Sequence, residues 1–295
     1  MEYVHYPVMY HEVLSYLVPK REDALMVDCT TGEGGHTRLF LEKYPRLHVT
    51  GLDRDSEIQK KAIARMQPFG ERFTPVNTWF DDYWETYQGP KVDLVLFDLG
   101  ISSYHFAESE RGFSFQKEEE LDMRLDLRQS LSAETVVNSY AEEDLATVIY
   151  RYGEERYSRR IARAIAEARA KERIVTTRQL ADIIFHAVPP QYRYGHIHPA
   201  TRSFQAIRIE VNRELDRIEP AIRGAVDSLL PGGRAAVITF HSLEDRPVKW
   251  LFRELAGGDQ PKVKILTKHP VVPSEEEIAE NSPSRSAKLR VVERI

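Results

Sequence analysis

The run Asp28-Cys29-Thr30-Thr31-Gly32-Glu33-Gly34-Gly35-His36 carries the residue types and spacing best suited to chemistry in this chain. An apolar stretch, Ala24 to Val27, leads straight into it, and Thr37 to Lys43 read as the start of a helix. Glycines at 32, 34 and 35 permit positive φ and leave no side chain between the backbone and a ligand. A carboxylate or phosphate placed at such a turn meets unpaired N–H groups and the positive end of a helix dipole. A second acid, Asp53, closes the segment His48 to Leu52, where a carboxylate can accept both hydroxyls of a ribose. A third, Asp98, ends the clearest strand of the chain, Val92 to Phe97, and leads into Leu99-Gly100-Ile101-Ser102-Ser103.

The glycine spacing discriminates between ligands. A dinucleotide fingerprint places a third glycine where Thr37 stands, which weakens a nicotinamide reading without removing it. The order acid-x-Thr-x-Gly-x-Gly-Gly instead matches a pattern typical of S-adenosylmethionine (SAM) methyltransferases, in which the turn holds an amino acid end. The plain structural alternative is an ordinary strand-to-helix turn with a surface aspartate, disfavoured because a Gly-rich turn and a spaced acid occur together.

These residues need a scaffold that brings them together. Strands at 47–52, 72–76 and 92–97 alternate with helical patterns at 37–43 and 55–66, which is the order of a parallel sheet with helices on both faces. In a sheet of order 3-2-1-4-5, strands one and four are neighbours, and ligands sit in the crevice outside their carboxyl ends. The glycine turn and Asp98 are then expected at one place. Ahead of the first strand, Tyr3 to Pro19 opens with a His/Tyr/Pro segment and continues as one amphipathic helix.

From Ser130 the pattern is helical throughout. Ser139-x-x-Glu142 and Thr176-x-x-Gln179 read as capping boxes, Ser158 precedes an Ala/Arg-rich helix to about Lys171, and Pro189-Pro190 stops the helix before it. We read 125–195 as an all-helical insertion into a sheet domain formed by 1–124 and 196–295. An apolar stripe from Phe204 to Leu229 predicts two helices broken at Pro220. Pro231-Gly232-Gly233 turns into a strand at 234–240, and late strands at 262–266 and 289–295 close the edge as an antiparallel pair. Pro273 to Ser286 reads as a loop near the site or a disordered segment.

Bulk properties narrow the class. The 295 residues are 42% hydrophobic and 29% charged, as in a soluble globular protein, and no apolar run approaches a bilayer span. With no secretory signal pattern, a cytoplasmic location is expected. The single cysteine, Cys29, excludes an internal disulfide framework and disfavours a thiolate metal site. A net charge of −5 means that any nucleic-acid contact must use a local basic patch. His196-x-His198 lacks a cysteine or a suitably spaced acid, so no metal is expected there. His241-Ser242 with Asp245 imitates a hydrolase triad but lacks a nucleophile elbow.

The succession DCTTGEGGH, DLGISS, RGFSF, LDMRLD, YGEER, HPATRSFQAIRIEVN, PGGR, FHSLED and RSAKLR closely resembles the MraW family. Its members methylate the exocyclic 4-amino nitrogen of a cytosine in bacterial small-subunit (16S) ribosomal RNA. The resemblance runs from about Tyr6 to the C-terminus. It implies a class I, Rossmann-like, SAM-dependent methyltransferase: an α/β protein with a mostly parallel sheet and an inserted all-helical domain. It also implies that Gly34, Gly35 and His36 hold the methionine end of SAM, Asp53 its ribose and Phe80 the adenine environment, with Asp98 beside the sulfonium. The chain departs from the family pattern at Cys29, where a small glycine is common, at Thr31, where an aromatic is common, and at His105, where a glutamine touching SAM is usual. The tail Asn281-Ser282-Pro283-Ser284-Arg285 also differs from the commoner Asn-Pro-Arg order.

The chemistry this implies is alignment and proton acceptance, with Asp98 the candidate catalytic acceptor or else only an orienter of SAM. A target base must be swung out of its stack, which calls for aromatics and arginines. The candidates are Arg111, Phe113, Phe115, Arg124, Arg202 and Phe204, with Arg156, Arg159, Arg160, Arg163 and Arg169 as possible phosphate contacts. The expected partner is small-subunit ribosomal RNA, within an assembled or assembling subunit, with no membrane and room for a homodimer. The alternatives are a SAM enzyme acting on DNA or a small molecule, and a non-catalytic ribosome-assembly module that binds RNA.

Overall fold

The computed structural model describes residues 7–295, so Tyr3 to Tyr6 of the opening segment lie outside it. The chain forms two compact units, Met1–Gly100 with Leu215–Ile295, and Ile101–Glu214.

The first unit is a seven-stranded sheet. Its strands are β1 Leu25–Asp28, β2 His48–Asp53, β3 Phe73–Asn77, β4 Val92–Asp98, β5 Leu229–Thr239, β6 Val263–Ile265 and β7 Lys288–Arg294. They lie in the order β3-β2-β1-β4-β5-β7-β6. The first five are parallel, and β7 runs antiparallel to both β5 and β6. This is the class I methyltransferase arrangement that the resemblance implies. β4 is apolar and buried along almost its whole length because both of its faces are covered. Val95 and Phe97 join one core with the helices Phe80–Thr86, Ile218–Ser228 and Ser242–Leu255. Leu94 and Leu96 join the other, with Val13 and Leu17 at the N-terminal helix and Phe40 and Leu41 of the helix Gly35–Lys43. The one acid inside β4, buried Asp93, accepts two hydrogen bonds from Arg21 at 2.8 Å and the backbone N–H of Leu25 at 2.8 Å, which anchors the start of β1.

Two details differ from the periodicity reading. The stripe after Phe204 breaks at Arg213, whose φ is +51°, and not at Pro220. Pro220 lies in the first turn of Ile218–Ser228, where a missing N–H costs no helical hydrogen bond. The Pro273–Ser286 segment is ordered as a helix, Glu275–Glu280, capped by Ser274, and a 3-10 turn, Ser282–Ser286.

The second unit is helical, as expected, and wider than 125–195. The stretch before it is tied in by backbone hydrogen bonds from Leu121 to Val175 at 3.0 Å and from Thr177 to Glu119 at 2.9 Å. The Asn212 side chain joins the same stretch to the helix Ala200–Asn212, donating to the Met123 carbonyl at 2.8 Å and accepting from the Leu125 N–H at 2.8 Å. That helix crosses Glu142–Gly153 where only glycine fits, since a Cβ on Gly153 would lie 2.6 Å from the Arg202 carbonyl. Thr176 and Gln179 form the expected capping box. Ser139 does not cap the next helix: it ends the helix Ala133–Ser139, and Ala141 stands at the cap.

Candidate active site

β1 and β4 pair directly, with Asp28 beside Leu96, so the loops that follow them leave the sheet side by side. They are stitched together by the Thr30 hydroxyl, which accepts the backbone N–H of Asp98 at 2.6 Å. Asp28 is buried. Its carboxylate accepts the Thr37 hydroxyl at 2.7 Å and the Thr30 N–H at 3.2 Å, which ties strand end to helix start. Burial pushes its pKa above the ordinary carboxylate value, with the Thr37 hydrogen bond opposing. At the end of β2, Asp53 accepts the N–H of Gly32 at 2.9 Å and that of Asp55 at 2.9 Å, and so shapes the glycine turn itself.

Gly34 stands at the N-cap of Gly35–Lys43 with φ +82°, a conformation that disfavours a side chain. The N–H of Arg38 reaches back to the Gly34 carbonyl, which leaves the amides of Gly35, His36 and Thr37 without acceptors inside the helix. The His36 ring, buried in the first turn, brings Nε2 to 3.5 Å from Oδ2 of Asp98. Both ring nitrogens of His36 and Oδ1 of Asp98 are buried with no hydrogen-bond partner among the described residues. Buried polar atoms without partners are costly, and His36 stands in a first turn whose amides find no acceptor within the helix. Such a place suits a ligand that has both a carboxylate and hydrogen-bonding groups.

Another predicted position, Phe80, has a different setting. Phe80 is core, edge-on to Phe97 with centroids 5.7 Å apart. Its neighbour Trp79 escaped the sequence reading: the indole lies between the guanidiniums of Arg54, at 4.4 Å, and Arg217, at 3.9 Å. Arg217 also grips Asp81 at 2.8 Å. Cys29 is buried and accepts the indole N–H of Trp84 at 3.4 Å, and burial raises its thiol pKa well above the ordinary value. The Thr30 bridge was missed as well. Its only signal was a hydroxyl two residues beyond a strand-ending acid.

In the second unit most of the proposed RNA contacts turn out to be structural. Arg111 is buried and donates to the Arg124 carbonyl at 3.0 Å. Arg124 forks onto Asp122 at 2.8 and 2.7 Å and donates to the Gln129 carbonyl at 3.0 Å. Phe113 is buried against the ring of His105, 5.2 Å away, and His105 is itself buried. Phe204 is buried edge-on to Phe115. Arg202 is exposed, with one contact to the Glu154 carbonyl at 3.3 Å. On the Arg-rich helix Ser158–Arg169, Arg169 donates to the carbonyls of Val137 and Tyr140 at 2.7 and 2.6 Å, and Arg163 faces Glu142 at 3.6 Å. Arg159 and Arg160 are exposed, and so is Arg156, whose guanidinium lies over Tyr157 and Tyr192.

The triad-like residues are engaged otherwise. Asp245 is held by Arg290 at 2.7 and 3.0 Å; burial raises its pKa, and Arg290 outweighs that to hold it below the ordinary value. Among the described residues no cluster of His, Cys, Asp or Glu suits a metal ion, and no helix is long and apolar enough to cross a membrane.

Comparison with known proteins adds a family to this geometry. The profile of the MraW methylase family matches residues 2–295. A protein of Treponema denticola named ribosomal RNA small subunit methyltransferase H is 49% identical, the match covering 100% of this chain and 98% of the relative. One of the same name from Persephonella marina is 48% identical over 99% of both chains. A solved rRNA methylase from Streptococcus thermophilus aligns over 97% of this chain and 95% of its own at 12% identity, with a TM-score of 0.43.

Proposed function

Since the chain belongs to the MraW methylase family, we propose that it transfers a methyl group from SAM to the exocyclic 4-amino nitrogen of a cytosine in small-subunit ribosomal RNA. The observation that carries this reading is the set of buried atoms on His36 and Asp98, without partners among the described residues, where the loops after β1 and β4 leave the sheet side by side. The names of the relatives from Treponema denticola and Persephonella marina support the RNA substrate. We further infer that the reaction is cytoplasmic and that the RNA is met within an assembled or assembling subunit.

The pocket fits the donor. The first-turn amides at Gly35 and His36 suit its carboxylate, His36 offers ring nitrogens in need of partners, and Asp53, which shapes the glycine turn from the end of β2, is the acid we assign to the ribose. When bound, SAM supplies a methyl on a sulfonium, which already has a good leaving group. What remains for the protein is alignment and a proton. A cytosine amino nitrogen is a weak nucleophile because its lone pair is delocalised into the ring. Oδ1 of Asp98 accepts one of its N–H groups, localises the lone pair, and then holds the proton. Thr30 fixes the backbone from which Asp98 extends. Holding the reacting groups in line contributes up to about 7–11 kcal/mol. A module that only bound RNA would gain nothing from unpartnered buried groups at the carboxyl ends of these central strands, which disfavours the non-catalytic alternative.

The test is incubation of the protein with labelled SAM and small ribosomal subunits from cells lacking the enzyme, followed by nucleoside analysis. Label on a cytosine 4-amino group is the expected result. Label on any other group, or none on the RNA, overturns the assignment.

A further inference from the structure

The second unit carries an aromatic seam that runs from buried Phe204 through Phe115 to exposed rings. The ring of exposed His198 stacks on Phe115, with centroids 4.6 Å apart and planes 28° apart, and lies near-parallel to Phe185 at 5.9 Å and 21°. Phe185 in turn meets Tyr194 edge-on at 6.1 Å. Tyr194 is 82% exposed and Ile197 57% exposed. Rings that serve only a core would be covered, as Phe113 and Phe204 are.

The surroundings favour a nucleobase over an aliphatic partner. The guanidinium of Arg193 lies 5.5 Å from the Phe185 ring, held by the Val188 and His186 carbonyls. On the same stretch Tyr192 and Tyr157 flank the guanidinium of Arg156, at 5.0 and 4.8 Å, and Arg202 acts electrostatically on Tyr192. The acid that faces His198 is Asp182. The Ala200 N–H donates to Nδ1 of His198 at 3.2 Å, which places the proton of the neutral ring on Nε2 as a hydrogen-bond donor. Burial lowers the His198 pKa, so that neutral stacking form prevails at neutral pH.

We propose that His198, Phe115, Phe185 and Tyr194 form a stacking platform for an unpaired base of the RNA substrate, with Nε2 of His198 as a donor to that base. Aromatic faces interleaved with arginines are how proteins hold single-stranded RNA. The proposal rests on the RNA reading above and names where the RNA is gripped.

The test uses the intact protein and a single-stranded RNA twelve-mer carrying 2-aminopurine, whose fluorescence is quenched on stacking, with the same sequence as a duplex for comparison. Two variants probe the seam. Tyr194→Ala removes an exposed ring, and His198→Asn removes the imidazole while its Oδ1 can still accept the Ala200 N–H. Each should weaken single-strand binding roughly 5- to 150-fold and abolish the quenching, while the salt dependence and SAM affinity stay as in the parent protein. Equal affinity for the duplex, unquenched binding by the parent protein, or full quenching by both variants overturns the platform. Quenching is read without SAM or methyl transfer, so a protein that quenches but labels no cytosine would refute the proposed reaction and leave the platform standing.

Discussion

Replacing Thr30 by valine tests whether the two loops act as one. The Thr30 hydroxyl accepts the Asp98 N–H at 2.6 Å, across 68 residues of sequence, and valine has the same shape without an acceptor. Asp98 sits at the last position of β4, and its amide makes this bond in a part-buried place. An amide left unpaired in such a place costs about 1–3 kcal/mol. For a unit of this size, each kcal/mol lowers the melting midpoint by about 2–4 °C, so Thr30→Val should melt about 2–12 °C below the parent protein. Thr30→Ser keeps the acceptor and loses one partly buried methyl, worth at most about 0.8 kcal/mol, and should lie within about 3 °C of the parent. Calorimetric titration with SAM should rank them alike, with valine weakest, because the Asp98 backbone then drifts from the His36 side of the pocket. If valine and serine melt together, or if valine binds SAM as the parent does, the bridge is incidental and the loops are positioned by the sheet alone.

Other outcomes follow from the same geometry. Asp98→Asn should bind SAM within a few-fold of the parent and lose about 10²- to 10⁴-fold in turnover; full turnover would leave Asp98 only an orienter. Asp28 has a folded pKa raised above its unfolded value by burial, so its proton stabilises the fold below the unfolded value, and that contribution is lost as pH rises through the folded pKa. Melting curves from pH 4 to pH 8 should therefore show Asp28→Asn gaining on the parent with rising pH, and a constant gap would contradict the burial argument. Arg169→Gln removes two charged donors from the Val137 and Tyr140 carbonyls and should cost the second unit about 1–3 kcal/mol, discounted for the partial exposure of Arg169. RNA affinity and its salt slope should be unchanged; a slope reduced by about 0.7 would mean that Arg169 neutralises a phosphate after all.

The parts legible in the sequence are those set by local pattern. Apolar runs such as Val92–Phe97 force a strand buried on both faces, the Gly32–Gly35 turn forces a sharp exit from β1, and Thr176 with Gln179 forces a helix start. From these, the strand order and the meeting of the glycine turn with Asp98 follow by the topology of parallel sheets. Boundaries were less legible. The stripe at 204–229 contains a proline, yet the break falls at Arg213, since a proline in a first turn breaks nothing.

Which side chains are free to act was decided by tertiary structure alone. Arg124 looks like a base contact and Arg169 like a phosphate ligand by type, and both are occupied by acceptors that the fold brings to them. Phe113 and Phe204 look like stacking rings and are buried, while exposed His198 stacks with Phe115 and Phe185. The bond from Asp98 to Thr30 and the clasp of Trp79 by Arg54 and Arg217 have no local signature. The physical reason is that residue type and spacing set what a side chain can do, whereas its availability depends on which distant groups fill its hydrogen bonds and cover its surface.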